Sequence, residues 1–132
     1  LIKGVVKPIK DAVTPEYKIP HIGWNSLTFK NGKNSLFKYI NEGDFVYFVH
    51  SFYADECDDS VIATSEYGAE ITAAVQKENV YGCQFHPEKK RRRRTEYFKS
   101  FCRNERGRAM VIYPAIDLYD GKAVRLYKGD YS

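Results

Sequence analysis

An imidazole and a carboxylate lie two residues apart near the middle of the chain, in the sequence Gln84-Phe85-His86-Pro87-Glu88. Histidine ordinarily titrates near pH ~6.5 and can take a proton from a thiol or a hydroxyl group. A carboxylate on the other ring nitrogen fixes the tautomer and stabilises the imidazolium. His86 and Glu88 are therefore candidates for a general base and its orienting group. Spacing alone favours the alternative, a solvated ion pair.

The residues before this pair predict a strand that positions it. Val80 to Phe85 is rich in residues that fit a pleated sheet, and alternate side chains of a strand share a face. His86 and Glu88 are thus expected to emerge together at the end of this strand, because Pro87 lacks an N–H and stops the ladder.

The remaining pattern predicts a sheet built mainly from hairpins. Short turns at Tyr67-Gly68 and Glu78-Asn79 separate successive strands, which indicates antiparallel pairing rather than crossover connections. We expect a short helix over Asn34 to Ile40 and a further helix over Thr95 to Cys102. The predicted strands cover Ile19 to Phe29, Asp44 to Tyr53, Val61 to Ser65, Glu70 to Gln76 and Val80 to Phe85.

None of the three cysteines has the surroundings of a nucleophile. Cys57 lies among four acidic residues, whose charge raises the pKa of a thiol, and we expect it to be exposed. Cys83 is expected to be packed, facing away from His86. Cys102 has no motif around it, and no Cys/His spacing suggests a metal site, so we expect neither a metal nor a cofactor. His21 has no carboxylate close in sequence and is expected to be a hydrogen-bonded structural histidine.

Four ordered blocks carry a resemblance to a known family. The block from Tyr81 to Glu88 closely resembles the last conserved block of class I glutamine amidotransferases. Three earlier blocks resemble the glutaminase subunit of imidazole glycerol phosphate synthase, in the same order: Pro20 to Asn25, Tyr47 to Ser51, and Ala63 to Gly68. The resemblance implies an α/β fold in which residues 1–104 form the C-terminal, largely antiparallel part of an amidotransferase domain.

The resemblance also implies a chemistry. Such enzymes hydrolyse glutamine to glutamate and ammonia with a Cys-His-Glu triad, in which His86 is the base and Glu88 its orienter. The family's nucleophile lies in an upstream Gly-x-Cys-x-Gly turn that this sequence does not contain. We therefore expect a chain that begins at Leu1 midway through the domain and that is inactive alone.

Substrate and partner contacts are implied by the same resemblance. His50, Ser51 and Phe52 match the stretch that lines the glutamine pocket, although a tyrosine usually stands where this chain has Phe52. Trp24 and Lys89 match positions at the interface with the barrel-shaped synthase subunit, the expected partner in a heterodimer. A core anchor is the alternative for Trp24.

Residues 110–132 resemble a second family, which implies the first β-strands of a (β/α)8 barrel. Met110 to Leu118 and Gly121 to Asp130 are similar to the start of the phosphoribosylformimino-aminoimidazole-carboxamide ribotide isomerase. There, the aspartate that matches Asp117 is the general base. Ala115 stands where the related synthase barrel usually has a cysteine, which favours the isomerase. Most of a barrel is missing, so isomerase activity is not expected.

The run Lys89 to Arg94 contributes six positive charges, more than the whole chain's formal net charge of +4. One reading is a phosphate-binding patch for nucleic acid, and another is a solvated helix face. We favour a third, in which residues 90–98 are translated out of frame, because two single-adenine slips relate them to the family's closing helix. Residues 105–109 are then a junction between two neighbouring genes, with a purine-rich coding stretch like a ribosome-binding site.

Composition is compatible with one domain that has a core. The chain has 132 residues, of which 43% are apolar and 15% aromatic. No apolar run of ~18 residues predicts a membrane helix, and no charged-then-apolar leader is present, so we expect a cytoplasmic protein without a membrane partner.

Overall fold

A computed structural model of the chain describes residues 2–89 and four two-residue strands between residues 118 and 131. The first range contains eight strands: β1 (Val5–Pro8), β2 (His21–Ser26), β3 (Thr28–Phe29), β4 (Phe45–His50), β5 (Phe52–Asp55), β6 (Val61–Glu66), β7 (Glu70–Lys77) and β8 (Val80–Cys83). It also contains four single-turn 3-10 helices, at Ile9–Asp11, Ser35–Phe37, Asp58–Ser60 and Pro87–Lys89.

Every strand pair in the described part of the chain is antiparallel. Strand β1 pairs with β5, β2 pairs with β4, and β3, β6, β7 and β8 form one four-stranded sheet in that order. The predicted turns are present, with Gly68 at φ +70° between β6 and β7 and Glu78 at φ +54° between β7 and β8. The prediction of antiparallel hairpins is confirmed.

The core lies between strand β4, the four-stranded sheet and the 3-10 helix Ser35–Phe37. Its fully buried aromatic residues are Phe37 and Phe48, and Phe85 packs edge-on against Phe48 with ring centroids 6.1 Å apart. Burying a large apolar side chain contributes roughly 1.5–3 kcal/mol, so this cluster accounts for much of what joins β4 to the sheet. Strand β4 alternates exposed or half-buried residues with buried ones, as a strand with one face on a core does.

Two long predicted strands are each divided in the structure. The first begins at His21 rather than Ile19 and is interrupted at Leu27, whose N–H donates to the Asp44 carbonyl over 3.1 Å. The second divides at Ser51, whose carbonyl accepts from the Ile9 N–H over 2.9 Å. Strand β1, which supplies the backbone next to Ile9, was not predicted. At both breaks the chain changes its pairing partner, from β4 to β6 after Leu27 and from β2 to β1 after Ser51.

The short helix predicted over Asn34 to Ile40 is present, but it is shorter than predicted. The segment forms only the 3-10 helix Ser35–Phe37, and the Asn34 side chain caps it by accepting from the Leu36 N–H over 2.9 Å. The apolar side chains of this segment, Leu36, Phe37 and Ile40, are nonetheless buried in the core. So short a segment gains little from helical hydrogen bonds, and packing decides its shape.

The C-terminal predictions lie largely outside the described residues. These include the helix over residues 95–102 and the start of the barrel over residues 110–117. The described strands β9 (Leu118–Tyr119) and β10 (Lys122–Ala123) pair antiparallel, as do β11 (Leu126–Tyr127) and β12 (Asp130–Tyr131). Within the described part of the chain, no helix has the length and apolar character needed to span a bilayer.

Candidate active site

His86 is attached to the core strand through its main chain. Its N–H donates to the Tyr47 carbonyl over 2.8 Å, which forms an isolated antiparallel bridge to β4. Strand β8 ends at Cys83, three residues before His86, so the histidine does not sit directly at the strand end as predicted. It lies instead on a short link whose Gln84 N–H donates to the Ala73 carbonyl over 2.9 Å. Two backbone hydrogen bonds, from Gln84 and from His86, thus fix the main chain that carries this half-buried histidine.

The backbone at Glu88 belongs to the 3-10 helix Pro87–Lys89, which begins directly after His86. Pro87 is suited to open this turn because it has no N–H to leave unpaired. The Lys89 N–H donates to the His86 carbonyl over 3.2 Å and closes the turn. The side chain of Glu88 lies outside the described residues, so its pairing with His86 stays a prediction.

Tyr47 joins the two residues that were expected at an interface. Trp24 lies opposite Tyr47 in the β2–β4 register, and their rings meet edge-on with centroids 5.5 Å apart. The Lys89 ammonium lies 4.4 Å from the centre of the Tyr47 ring, within the range of a cation–π contact. Trp24 is 44% exposed, so it is not a core anchor. No local pattern predicted a role for Tyr47, yet it contacts all of these residues.

The stretch His50-Ser51-Phe52 forms the junction between β4 and β5. His50 is buried, and its Nδ1 lies 2.9 Å from the Phe52 carbonyl oxygen. The Phe52 side chain is 52% exposed. Tyr47 and His50 are three residues apart on β4, which corresponds to about 10 Å along a strand. The predicted base is therefore bonded to β4, the strand that ends where the predicted substrate stretch begins.

His21 is a hydrogen-bonded structural histidine, as predicted. It lies opposite His50 in the β2–β4 register, and its Nδ1 is 2.9 Å from His50 Nε2. The ring stacks against Tyr67 and Phe48, with centroids 3.9 Å and 4.9 Å apart. Burial and the neighbouring His50 lower the pKa of His21 to about 4, and burial also lowers the pKa of His50. Both rings are therefore neutral at physiological pH.

The structure corrects two expectations about the cysteines. Cys57 is buried rather than exposed, and burial, followed by the charges of Asp58 and Asp55, raises the pKa of its thiol. Cys83 is exposed rather than packed, and its thiol lies 3.6 Å from the Phe85 carbonyl. A buried thiol with a raised pKa is a poor nucleophile, so Cys57 remains unsuited to attack a substrate.

Several predicted features lie outside the described residues: Cys102, Asp117 and the basic residues 90–94. Among the residues that the structure does describe, no three His, Cys, Asp or Glu side chains cluster closely enough to hold a metal ion.

Comparison with known proteins gives a family match over most of the chain. The model of the family described as "Glutamine amidotransferase class-I" matches residues 5–104. The chain is 47% identical over 89 residues to the protein named imidazole glycerol phosphate synthase subunit HisH of Bacillus cereus, a region that covers 67% of this chain and 40% of the relative. HisH proteins of Bacillus mycoides and Bacillus anthracis match over the same shares, at 47% and 46% identity.

The matches differ in how much they cover. The chain spans 40% of the length of these relatives, so the activity of a whole HisH protein does not transfer directly to it. The family match covers well over half of the chain, including β1 to β8, His86, Trp24 and the His50-Ser51-Phe52 stretch. The chain belongs to the class I glutamine amidotransferase family.

Proposed function

We propose that this chain supplies the general-base half of the glutaminase of imidazole glycerol phosphate synthase, an enzyme of histidine biosynthesis. In this role His86 is the base, and Glu88 orients it. The His50-Ser51-Phe52 stretch binds glutamine. The nucleophilic thiol comes from polypeptide outside these 132 residues, since none of Cys57, Cys83 and Cys102 stands in the Gly-x-Cys-x-Gly turn that carries the family's nucleophile. Alone, the chain does not turn over glutamine.

The chemistry proceeds in two steps. The thiolate attacks the side-chain amide carbon of glutamine, and the imidazolium of His86 protonates the departing nitrogen, so that ammonia leaves and a glutamyl thioester forms. Water then attacks the thioester as His86 takes its proton, which releases glutamate and restores the thiol. A carboxylate at Glu88 stabilises the imidazolium in both steps.

One observation carries this proposal: the hydrogen bond from the His86 N–H to the Tyr47 carbonyl. It fixes the base on β4, about 10 Å along the strand from the junction at His50. A glutamine bound at the junction would direct its amide along β4 toward His86, and the side chains at the two ends span the rest of this distance. An imidazole on an unattached loop would lack this fixed distance, which proton transfer requires.

The partner we propose is the synthase barrel subunit, which receives the ammonia. Trp24, Tyr47 and Lys89 form a neighbouring surface in which an exposed indole, a phenol ring and a cation are in contact. Tryptophan and tyrosine are among the side chains that dominate the energetics of protein interfaces. The surface lies next to His86 through Tyr47, so a partner docked there receives ammonia close to where it forms.

The end of the chain has a separate proposed origin. We propose that residues 110–132 are the start of the isomerase barrel, with Asp117 as its matching base, and that residues 90–98 are read out of frame. Sequencing the genomic DNA from upstream of Leu1 past Ser132 tests both. Two single-adenine slips and an upstream Gly-x-Cys-x-Gly sequence support this origin, whereas uninterrupted arginine codons contradict it and make duplex-DNA binding the next measurement.

A hybrid polypeptide tests the glutaminase role. The part of the Bacillus cereus relative that precedes its matched region is joined to this full chain, and glutamate release from L-glutamine is measured with the synthase barrel subunit present. We expect activity from the hybrid and none from the chain alone. A hybrid that is folded by circular dichroism and binds the synthase subunit, yet releases no glutamate, contradicts the proposed function.

A further inference from the structure

A row of two hydrogen bonds runs from His21 through His50 to the Phe52 carbonyl. His21 Nδ1 and His50 Nε2 are 2.9 Å apart, and His50 Nδ1 and the Phe52 oxygen are also 2.9 Å apart. A carbonyl oxygen only accepts, so His50 Nδ1 carries the hydrogen. In a neutral ring the other nitrogen is then an acceptor, so His21 Nδ1 must be the donor. Both hydrogen bonds therefore point the same way, from His21 to His50 and from His50 to the Phe52 carbonyl.

The donor at the head of this row is held tightly. His21 is 3% exposed, and its ring stacks on Tyr67 and Phe48 at interplanar angles of 20° and 19°. The Tyr67 hydroxyl in turn donates to the Lys18 carbonyl over 2.8 Å. The orientation of the His21 imidazole is therefore fixed by four parts of the chain: strands β2 and β4, the turn between β6 and β7, and the segment before β2.

The second hydrogen bond ends on the main chain of Phe52, and this part of the main chain also pairs with β1. The Ile9 N–H donates to the Ser51 carbonyl over 2.9 Å, and Pro8 lies opposite Phe52 in the β1–β5 register. Antiparallel pairs alternate between hydrogen-bonded and non-hydrogen-bonded positions, so the Phe52 backbone turns away from β1. The Phe52 carbonyl therefore accepts from the His50 ring rather than from the neighbouring strand.

We propose that His21 is a positioning residue for the glutamine site, acting through His50 to fix the Ser51–Phe52 main chain that binds the substrate. This rests on the proposed function of the His50-Ser51-Phe52 stretch. The role needs the Nδ1–H of His21 as a donor, since that hydrogen bond holds the Nε2 end of His50 while the Phe52 carbonyl holds its Nδ1 end. Without it, the His50 ring can turn, and the Phe52 carbonyl loses its fixed partner.

Two variants separate this role from simple packing. His21→Phe keeps an aromatic ring for the stack but removes the donor. His21→Asn places an amide N–H near the position of Nδ1 but removes the stack. In the hybrid glutaminase, we expect His21→Phe to raise the KM for glutamine about tenfold with kcat within about twofold, which is the effect of losing one buried hydrogen bond. We expect His21→Asn to keep a KM within about threefold of wild type while lowering the unfolding midpoint.

The hydrogen-bond row is also observable in the chain itself, without substrate. Nitrogen-15 NMR of the imidazoles should show His50 with a protonated Nδ1 and an unprotonated Nε2. The Nε2 signal should move toward that of a nitrogen without a hydrogen bond in His21→Phe but not in His21→Asn. If His21→Asn raises KM as much as His21→Phe does, His21 acts by packing alone and the positioning role is overturned.

The outcomes distinguish this inference from the function on which it rests. A folded hybrid without glutaminase activity overturns the proposed function and the glutamine role of His21 together. An active hybrid in which His21→Phe leaves KM unchanged overturns the positioning role alone. The opposite tautomer of His50 in the NMR experiment likewise overturns it, whatever the hybrid does.

Discussion

His86 and His21 both depend on strand β4, but they meet it in opposite ways. His86 is fixed through its backbone, which donates to the Tyr47 carbonyl, and its ring remains half-buried. His21 lies in the β2–β4 ladder opposite His50, and its ring is buried, stacked and hydrogen-bonded. A backbone bridge to β4 thus anchors His86, whereas stacking and a hydrogen bond anchor the ring of His21.

The difference shows what each region can do. A ring enclosed on all sides can hold its neighbours in place, but a proton cannot reach it without breaking a hydrogen bond and charging a buried site. A ring whose backbone is fixed while part of its surface remains accessible can exchange protons with a ligand. Perturbing each region should therefore affect different measured quantities.

The largest expected effect comes from removing the imidazole of the accessible region. In the hybrid glutaminase, His86→Ala should lower kcat by about 10³-fold, because the general base is lost. The main-chain bond to Tyr47 needs no side chain, so we expect the variant to keep its fold, and the loss of the ring contact with Tyr47 should appear as a lower unfolding midpoint. Glutamate release under saturating glutamine measures the first quantity, and thermal unfolding followed by circular dichroism measures the second. If the activity of the variant falls only as far as its folded fraction does, His86 acts through stability alone, and the distinction between the two histidines is lost.

Acid tests the enclosed region, because His21 titrates differently in the folded and unfolded chain. Its pKa is about 4 when folded, against an ordinary value near 6.5. The unfolded state binds more protons between these values, so the unfolding free energy is highest above pH ~6.5 and falls as the pH drops toward ~4, by at most about 3 kcal/mol. The titratable groups that face His21 are His50 from β4 and Tyr67 from the β6–β7 turn, with Tyr17 beyond it.

Denaturant unfolding of the chain, followed by the fluorescence of Trp24, measures this dependence. Carboxylates also titrate in this range, so the informative quantity is the difference between the wild-type chain and His21→Phe. We expect a flatter pH dependence in the variant. Equal slopes in the two proteins contradict the assignment of the effect to the histidine pair.

A glycine beside the stack offers a smaller perturbation of the same region. Gly68 has φ +70°, and a Cβ there would lie 2.5 Å from the ring of Tyr17, which packs edge-on against Tyr67. Gly68→Ala should therefore cost about 2 kcal/mol, from backbone strain and from displacement of Tyr17. Gly43→Ala is the matched control, because Gly43 has φ +83° but open space around it. The control should cost about 1 kcal/mol, and equal losses would show that Tyr17 moves without cost.

The sequence predicted those parts of this arrangement that depend on local pattern. The short turns at Tyr67-Gly68 and Glu78-Asn79 located β6, β7 and β8 and their antiparallel pairing, since these signals act over a few residues. The motif around His86 also identified the candidate base. The break at Ser51 was not predictable in this way, because the donor is the Ile9 N–H, 42 residues earlier.

Contacts across the fold account for the other differences. Four acidic neighbours suggested an exposed Cys57, but the thiol turns inward and is 6% exposed. His21 and His50 are 29 residues apart, so no local pattern relates them. Once β2 and β4 are paired, however, the register places both His21 opposite His50 and Trp24 opposite Tyr47. One pairing therefore assembles both the enclosed and the accessible region.

The smallest expected effect concerns the surface beside the accessible histidine. Lys89→Ala removes the cation from the surface it forms with Trp24 and Tyr47 and, in the hybrid, should weaken binding of the synthase barrel subunit by a few-fold, since an exposed charge contact with a partner is worth up to about 1 kcal/mol. Lys38→Ala is the matched control, because Lys38 lies 5.6 Å from the centre of the Tyr39 ring, away from His86. Titration calorimetry should show weaker binding for the first variant only. Equal affinities for both would mean that Lys89 stabilises the turn after His86 without contacting a partner, and the accessible region would then be defined by its histidine alone.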